Sequence, residues 1–393
     1  MLNTAFSPWP NYSEEEADAV RRLLLSNKVN YWTGNECLEF EKEFAEWVGV
    51  KHAIALANGT VALDVALRSL NIGHGDEVIV TPRTFIASAS SIAITGAKPV
   101  FADVDEDSQN ITAETIAKVL TPKTKAIICV HLAGWPCDMD PIMSLAEKYN
   151  FFVIEDCAQA HGAKYKGRSV GSIGHIGAWS FCQDKIMTTG GEGGMVTTND
   201  KSLWSVMWSY KDHGKSWEAV NGNHEGDFRW LHHSFGTNGR MLEFQAILGR
   251  LQLRKMALWH KQRINNAKQI WACASALPGI RVPVIPTEIE HAAYKCYVFV
   301  DKKALNKNWN RSRIIEAINA QKVPCYYGSC SEVYLEKAFD LSDSRPKQRL
   351  PVAQKLGESS LMFLVHPSLT ALEINKTCDV LKKVMLEATE VVN

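Results

Sequence analysis

Lys185 is the side chain best placed for covalent chemistry, because of what surrounds it. It closes the run Trp179-Ser180-Phe181-Cys182-Gln183-Asp184-Lys185, and the glycine-rich run Gly190-Gly191-Glu192-Gly193-Gly194 follows. Upstream, the apolar stretch Phe151-Phe152-Val153-Ile154 ends in acid, Glu155-Asp156, with Gln159, His161 and Gly162 just beyond. A strand-end acid, then a lysine framed by a serine and glycines, is the constellation that pyridoxal 5′-phosphate requires. The amine forms a Schiff base with the aldehyde, and the acid keeps the pyridine nitrogen protonated so that the ring acts as an electron sink. Singly, each feature has a plainer reading: a solvated lysine, a capping acid, a glycine turn. Their order along one chain favours the chemical reading.

A phosphate group needs a cradle, and Asn58-Gly59-Thr60 offers one where a strand gives way to a helix. Backbone N–H groups and the helix dipole face an anion there, and glycine lets the backbone come close. The alternative is that Asn58 is an N-cap and Gly59 a turn residue; Ser180 beside Lys185 weights the phosphate reading. A partly buried, ionised Asp156 calls for a cationic partner, which a protonated pyridine nitrogen would be. Gln159 is placed to face the ring or its phenolic oxygen. Phe85, in Thr84-Phe85, either stacks on the ring or is an ordinary core aromatic.

The elements that must position these residues can be read from the chain. With 393 residues it can bury a large core and hold two domains. Lys+Arg and Asp+Glu are both 43, with no long run of either sign, which argues against a dedicated nucleic-acid or polybasic membrane surface. There is no apolar run of bilayer-spanning length, and the first residues lack the pattern of a signal peptide. The 10 cysteines are scattered without zinc-site spacing, so we expect reduced, packed thiols, no metal and a cytoplasmic protein.

Ser13-Glu14-Glu15-Glu16 reads as a capping box opening an amphipathic helix. From residue 53 onward, strand and helix alternate: strands near 53–57, 77–80, 99–102, 126–130 and 151–154, helices near 61–70, 88–94 and 141–149. Asp140 is expected to cap the last of these, with Pro141 at its first position. Two further short strands follow at 178–181 and 195–198. Continuous apolar strands alternating with helices predict an α/β fold with a largely parallel sheet covered on both faces. Residues 216–235 read as a long loop. A long helical pattern from 242 towards 274 bridges to a smaller unit with a strand at 297–300 and helices at 311–320 and 371–388.

The blocks Asn58-Gly59-Thr60, Gly75-Asp76-Glu77-Val78-Ile79-Val80, Gly96-Ala97-Lys98-Pro99-Val100-Phe101, Glu155-Asp156-Cys157-Ala158-Gln159-Ala160-His161-Gly162 and Gly191-Glu192-Gly193-Gly194 resemble those of one family. It is the DegT/DnrJ/EryC1/StrS group of sugar aminotransferases, fold-type I pyridoxal-phosphate enzymes. The resemblance runs on through residues 238–246 and, more loosely, to His366-Pro367. It implies a large domain (residues 1–255) built on a mostly parallel seven-stranded sheet, and a smaller C-terminal α/β domain (residues 256–393).

Position by position, the resemblance implies that Lys185 is the Schiff-base lysine and Asp156 the partner of the pyridine nitrogen, the two catalytic residues. Gln159 would lie near the ring hydroxyl, Gly59, Thr60 and Ser180 would cradle the phosphate, and Phe85 would stack. Asn238 would reach the cofactor phosphate of the neighbouring subunit, which implies a homodimer with shared active sites. Two positions depart from the family's habit, Gly239 and Arg83, and both are expected to alter the substrate pocket.

The activity so implied is amination of a nucleotide-linked keto-sugar, a 4-keto-6-deoxyhexose, for surface-polysaccharide or related glycan biosynthesis. L-Glutamate would supply nitrogen through the pyridoxamine 5′-phosphate form. The alternatives are a keto-sugar dehydratase of the same fold and a catalytically silent cofactor-binding regulator. The dehydratase branch replaces the lysine with histidine, whereas this chain keeps Lys185, and the Lys185/Asp156 pair weighs against silence. Residues 324–334 either line the sugar pocket or form an interdomain packing loop.

Overall fold

The computed structural model describes residues 5–222, 231–340 and 342–389. Seven strands form the large sheet: β1 (His52–Leu56), β2 (Glu77–Val80), β3 (Lys98–Phe101), β4 (Thr124–Val130), β5 (Phe152–Asp156), β6 (Ile176–Ser180) and β7 (Gly194–Thr198). Their spatial order is β1-β7-β6-β5-β4-β2-β3. Pairing is parallel from β6 through β3, while β7 runs antiparallel to both its neighbours. The expected mostly parallel sheet is therefore what the chain forms. The parallel centre follows from the sequence: Ile127, Ile128, Val153 and Ile154 are wholly buried, as strands covered on both faces must be.

Beyond the sheet, a second unit carries a four-stranded sheet whose pairs are all antiparallel, with Cys296–Val300 and Ser360–Phe363 at its centre. The helices Met256–Ser275, Arg311–Ala320 and Ala371–Thr389 share a core with it, built on Ile270, Val298, Ile318, Phe363 and Leu381. Among the described residues no helix is long and apolar enough to cross a membrane.

Several local expectations change. The helical pattern from 242 to 274 is two helices, Glu243–Leu253 and Met256–Ser275, broken at Arg254-Lys255. Apolar periodicity alone could not reveal the break, because both pieces bury one face. The helix Met139–Tyr149 starts before Asp140, which is not its cap; the Asp140 carboxylate instead pairs with Lys166 and Arg168. Pro141 still falls within the first turn, where its missing N–H costs no helical bond. Of the loop expected at 216–235, residues 223–230 lie outside the described residues. Its start is a short helix, Trp217–Asn221, whose first turn is capped by Ser216.

The ten cysteines are free thiols, six of them buried. His131, Glu155 and Cys157 are the one metal-capable trio among the described residues. The Glu155 carboxylate there is already saturated, bonded to the His131 ring and to the N–H groups of Gly171, Ile173 and Gly174.

Candidate active site

The carboxyl ends of the parallel strands deliver the candidate residues to one place, as open α/β sheets generally do. Asp156 is the last residue of β5, Ser180 the last of β6, and Lys185 lies in the turn that follows β6. The helix Gly59–Ser69 begins directly after β1 and points its N-terminus at the same spot. All four positions line a cavity of about 1060 Å³, together with Thr60, Phe85 and Gln159.

Local forces fix each one. Asn58 is indeed an N-cap: its Oδ1 accepts from Val61 N at 2.9 Å. That bond takes one of the four first-turn donors and leaves the N–H groups of Gly59 and Thr60 without helical partners at the cavity wall. Cap and anion cradle are thus compatible readings. Gly59 is required by close approach, since a Cβ there would lie 2.5 Å from the Ser180 Cβ. Gly194 is required likewise: its Cβ would meet the Asn58 carbonyl oxygen at 2.3 Å. The glycine run therefore lets β7 and the start of the helix come together beside Ser180.

Asp156 is 6% exposed, and its carboxylate accepts from Ser88 Oγ at 2.8 Å and from Ala158 N at 3.1 Å. Gln159 spends its Oε1 on the N–H of Ala133, at 2.8 Å. Lys185 is half-buried; its Nζ stands 5.4 Å from the centre of the Tyr294 ring. The segment bearing it is pinned by Trp9, whose indole N–H donates to the Lys185 carbonyl at 2.8 Å. Phe85 is 67% exposed and faces the cavity, so it is not a core aromatic. Asn238 lies outside the cavity: it is exposed, and its Oδ1 accepts from Arg240 N at 3.4 Å.

Neither of the two departures lines the cavity itself. Arg83 is wholly buried, donating to Gln109 Oε1 (2.9 Å), Ser331 Oγ (2.8 Å) and Ser360 Oγ (2.8 Å), so it ties the loop after β2 to the C-terminal unit. Gly239 is buried against Val61, 3.0 Å from where its Cβ would stand. The segment 324–334 fits both of its readings. Tyr326, Gly328, Ser329 and Cys330 line the cavity, while Val333 N donates to the Pro82 carbonyl at 2.9 Å and Thr84 N to the Cys330 carbonyl at 3.1 Å.

Residues that the sequence reading overlooked complete the site. Ser88 holds Asp156, and Tyr294 and Lys295 arrive from the second unit to line the same cavity. The Tyr294 hydroxyl donates to Asp184. Burial pushes the Lys295 ammonium down to about 8, helped by Arg263 and Lys185 and opposed by Asp184. Neither Ser88 nor Lys295 sits in a patterned motif, so only their proximity to Asp156 and Lys185 reveals them.

Known proteins similar to this chain share one family. The sequence model of the DegT/DnrJ/EryC1/StrS aminotransferase family matches residues 10–382. The crystal structure of an aminotransferase from Psychrobacter cryohalolentis superposes with a TM-score of 0.97 at 62% identity, covering 98% of this chain and 100% of that one. GDP-perosamine synthase of Escherichia coli O157:H7 is 42% identical over 66% of this chain and 71% of its own length. The UDP-N-acetyl-3-dehydro-alpha-D-glucosamine 3-aminotransferase of Acidithiobacillus ferrooxidans is 35% identical over 98% of this chain and 96% of its own.

Proposed function

The chain belongs to the DegT/DnrJ/EryC1/StrS aminotransferase family of pyridoxal-phosphate-dependent sugar aminotransferases, and on that premise we propose that it aminates a nucleotide-linked 4-keto-6-deoxyhexose with L-glutamate as donor. The observation that carries this reading is convergence. Lys185, Asp156 and the Gly59/Thr60/Ser180 cradle meet in one cavity of about 1060 Å³, at the top of the roughly 300–1,000 Å³ range of small-molecule sites. Such a volume leaves room for a large substrate beside a cofactor.

The residues present fit pyridoxal 5′-phosphate. When bound, it supplies an aldehyde for Schiff-base formation and a ring that withdraws electrons from the substrate carbon. Gly59 and Thr60 N–H groups and the Ser180 hydroxyl would hold its phosphate at the helix N-terminus. Asp156, its carboxylate fixed by Ser88 and Ala158, would hold the proton on the pyridine nitrogen. Gln159 would face the ring edge, and Phe85 would cover the ring. Lys185 Nζ would anchor the cofactor and is the amine placed to take up and return a proton beside the substrate carbon.

The protein acts as a cytoplasmic homodimer in surface-polysaccharide or related glycan synthesis, with domains dividing near 255/256, where the long helix breaks. Asn238 serves the partner's phosphate; its exposure, and that of Phe235 (99%) three residues before it, suit a surface covered by a second copy.

The substrate is tested by incubating purified holoenzyme and L-glutamate with GDP-, UDP- and dTDP-linked 4-keto and 3-keto sugars and following amine formation by mass spectrometry. Product from 3-keto sugars alone would move the amine to C3, and no product from any would remove the activity. The shared site is tested with tagged mixed dimers of Lys185→Ala and Asn238→Asp subunits. Recovery of activity relative to both parent homodimers is expected; no recovery removes the shared site.

A further inference from the structure

A second cavity of about 250 Å³ adjoins the first and shares Asp184, Tyr294, Lys295 and Leu364 with it. Its far wall includes Arg263, from the helix Met256–Ser275, with Trp9 and His366 beside it. Arg263 is 1% exposed, and its guanidinium lies 4.9 Å from the Trp9 ring centre. Its Nη1 donates a long bond, 3.5 Å, to the Tyr294 carbonyl, while Nε and Nη2 have no partner among the described residues. Withdrawing a guanidinium from water without an acid beside it is expensive. Burial accordingly pushes the Arg263 guanidinium down to about 9.

The neighbours deepen the imbalance. Lys295 is a second cation on the shared wall. His366 is neutral, because burial, with Arg263 and Lys295 nearby, pushes its imidazole down to about 3. Asp184 is the acid on the cavity wall, and it already accepts the Tyr294 hydroxyl. Moreover, Nε and Nη2 form the edge of a guanidinium that presents two parallel N–H groups, the geometry that matches a carboxylate bidentately.

We propose that this side cavity is a carboxylate subsite, in which Arg263 and Lys295 bind a carboxylate of the amino-acid amino donor while its amine lies in the main cavity beside Lys185. The inference rests on the amino-donor reading above and specifies where the donor is held. A cavity of this size accepts a carboxylate on a short chain and not a nucleotide. Binding supplies the counter-charge that the guanidinium lacks, so donor binding and relief of a buried, unpaired cation are one event.

The test uses holoenzyme and glutarate, a dicarboxylate without an amine, titrated by calorimetry. Wild type should bind it, Arg263→Gln should weaken binding on the order of tenfold or more, and Arg263→Lys should fall between. The KM for L-glutamate should rise in the same order, with a smaller change in kcat. Equal glutarate affinity in wild type and a folded Arg263→Gln overturns the proposal. Should that variant fail to fold, Lys295→Met decides: weakened glutarate binding supports the subsite, and unchanged affinity overturns it. Tighter, Arg263-dependent binding of inorganic phosphate than of glutarate overturns the carboxylate assignment. If wild type binds glutarate through Arg263 yet forms no amine from L-glutamate, the donor reading falls and the subsite stands.

Discussion

Glu155 and Asp156 are consecutive on β5, and the two faces of that strand treat them in opposite ways. Because side chains alternate along a strand, one acid points into the packing beneath the sheet and the other towards the cavity. Glu155 is wholly buried and is bonded to His131 and to three backbone N–H groups, those of Gly171, Ile173 and Gly174. Burial pushes its carboxyl up, but the His131 bond and the backbone donors outweigh it, and the group lies below the usual carboxylate range. Asp156 accepts two bonds and keeps part of its acceptor capacity open to the cavity. An acid saturated by donors serves the fold; an acid left partly unanswered waits for a cation from a ligand.

The strongest way to break this contrast lies on the cavity face. Lys185→Ala should lower turnover on the order of 10⁴-fold or more while leaving thermal stability near wild type. Borohydride reduction of the holoenzyme followed by peptide mapping should label Lys185. The other lysine on the cavity wall is Lys295; a label there instead would transfer the covalent role.

The acids themselves come next. Asp156→Asn should cost on the order of 2–4 kcal/mol of transition-state stabilisation, read as kcat/KM, with little change in Tm. Glu155→Gln should do the reverse. An amide presents an N–H where the carboxylate accepted one, so it should lose roughly 3 kcal/mol of stability while folded molecules keep their kcat. Similar activity losses at unchanged Tm in both variants would erase the distinction between the faces.

Acid titration sharpens the packing side of the comparison. Burial pushes the imidazoles of His161, His291 and His366 down to about 3, from an ordinary 6.5. The unfolded chain therefore takes up protons that the fold refuses, and stability should start to fall as the pH drops below 6.5. Glu155, with its depressed pKa, adds stability above its unfolded value of 4.5 that is lost as pH falls through the folded value. Tm against pH should thus descend in two stages, and Glu155→Gln should flatten the lower one alone.

How much of this was legible beforehand follows from range. The sheet was, because continuous apolar runs such as Ala126 to Val130 can only be buried strands. The meeting of Lys185, Asp156 and Gly59 at one cavity was legible too, because each sits in a motif of fixed local order. What escaped depends on contacts distant in sequence: Arg83 bonds to Ser331 and Ser360, and Tyr294, Lys295 and Arg263 reach the site from another unit. The break at Arg254-Lys255 escaped for a different reason, since a helix kink leaves the apolar period of its two halves intact.

The smallest effect tests how the cavity acid is aimed. Ser88 Oγ donates to Asp156 Oδ2 at 2.8 Å and lies 2.8 Å from the Thr84 hydroxyl, so a short buried chain of hydroxyls leads from the loop after β2 to the carboxylate. Ser88→Ala removes one neutral donor to a charged group, worth about 1.5 kcal/mol, and should lower kcat on the order of tenfold. Ser88 acts through Asp156, so KM for both substrates should change little. The visible absorbance band of the holoenzyme should also titrate at a shifted pH, because the carboxylate would hold the ring proton differently. A purely structural serine would move Tm and leave that titration where it was. If kcat and the titration are both unchanged, the Ala158 N–H suffices to aim Asp156, and the cavity face relies on its strand rather than on Ser88.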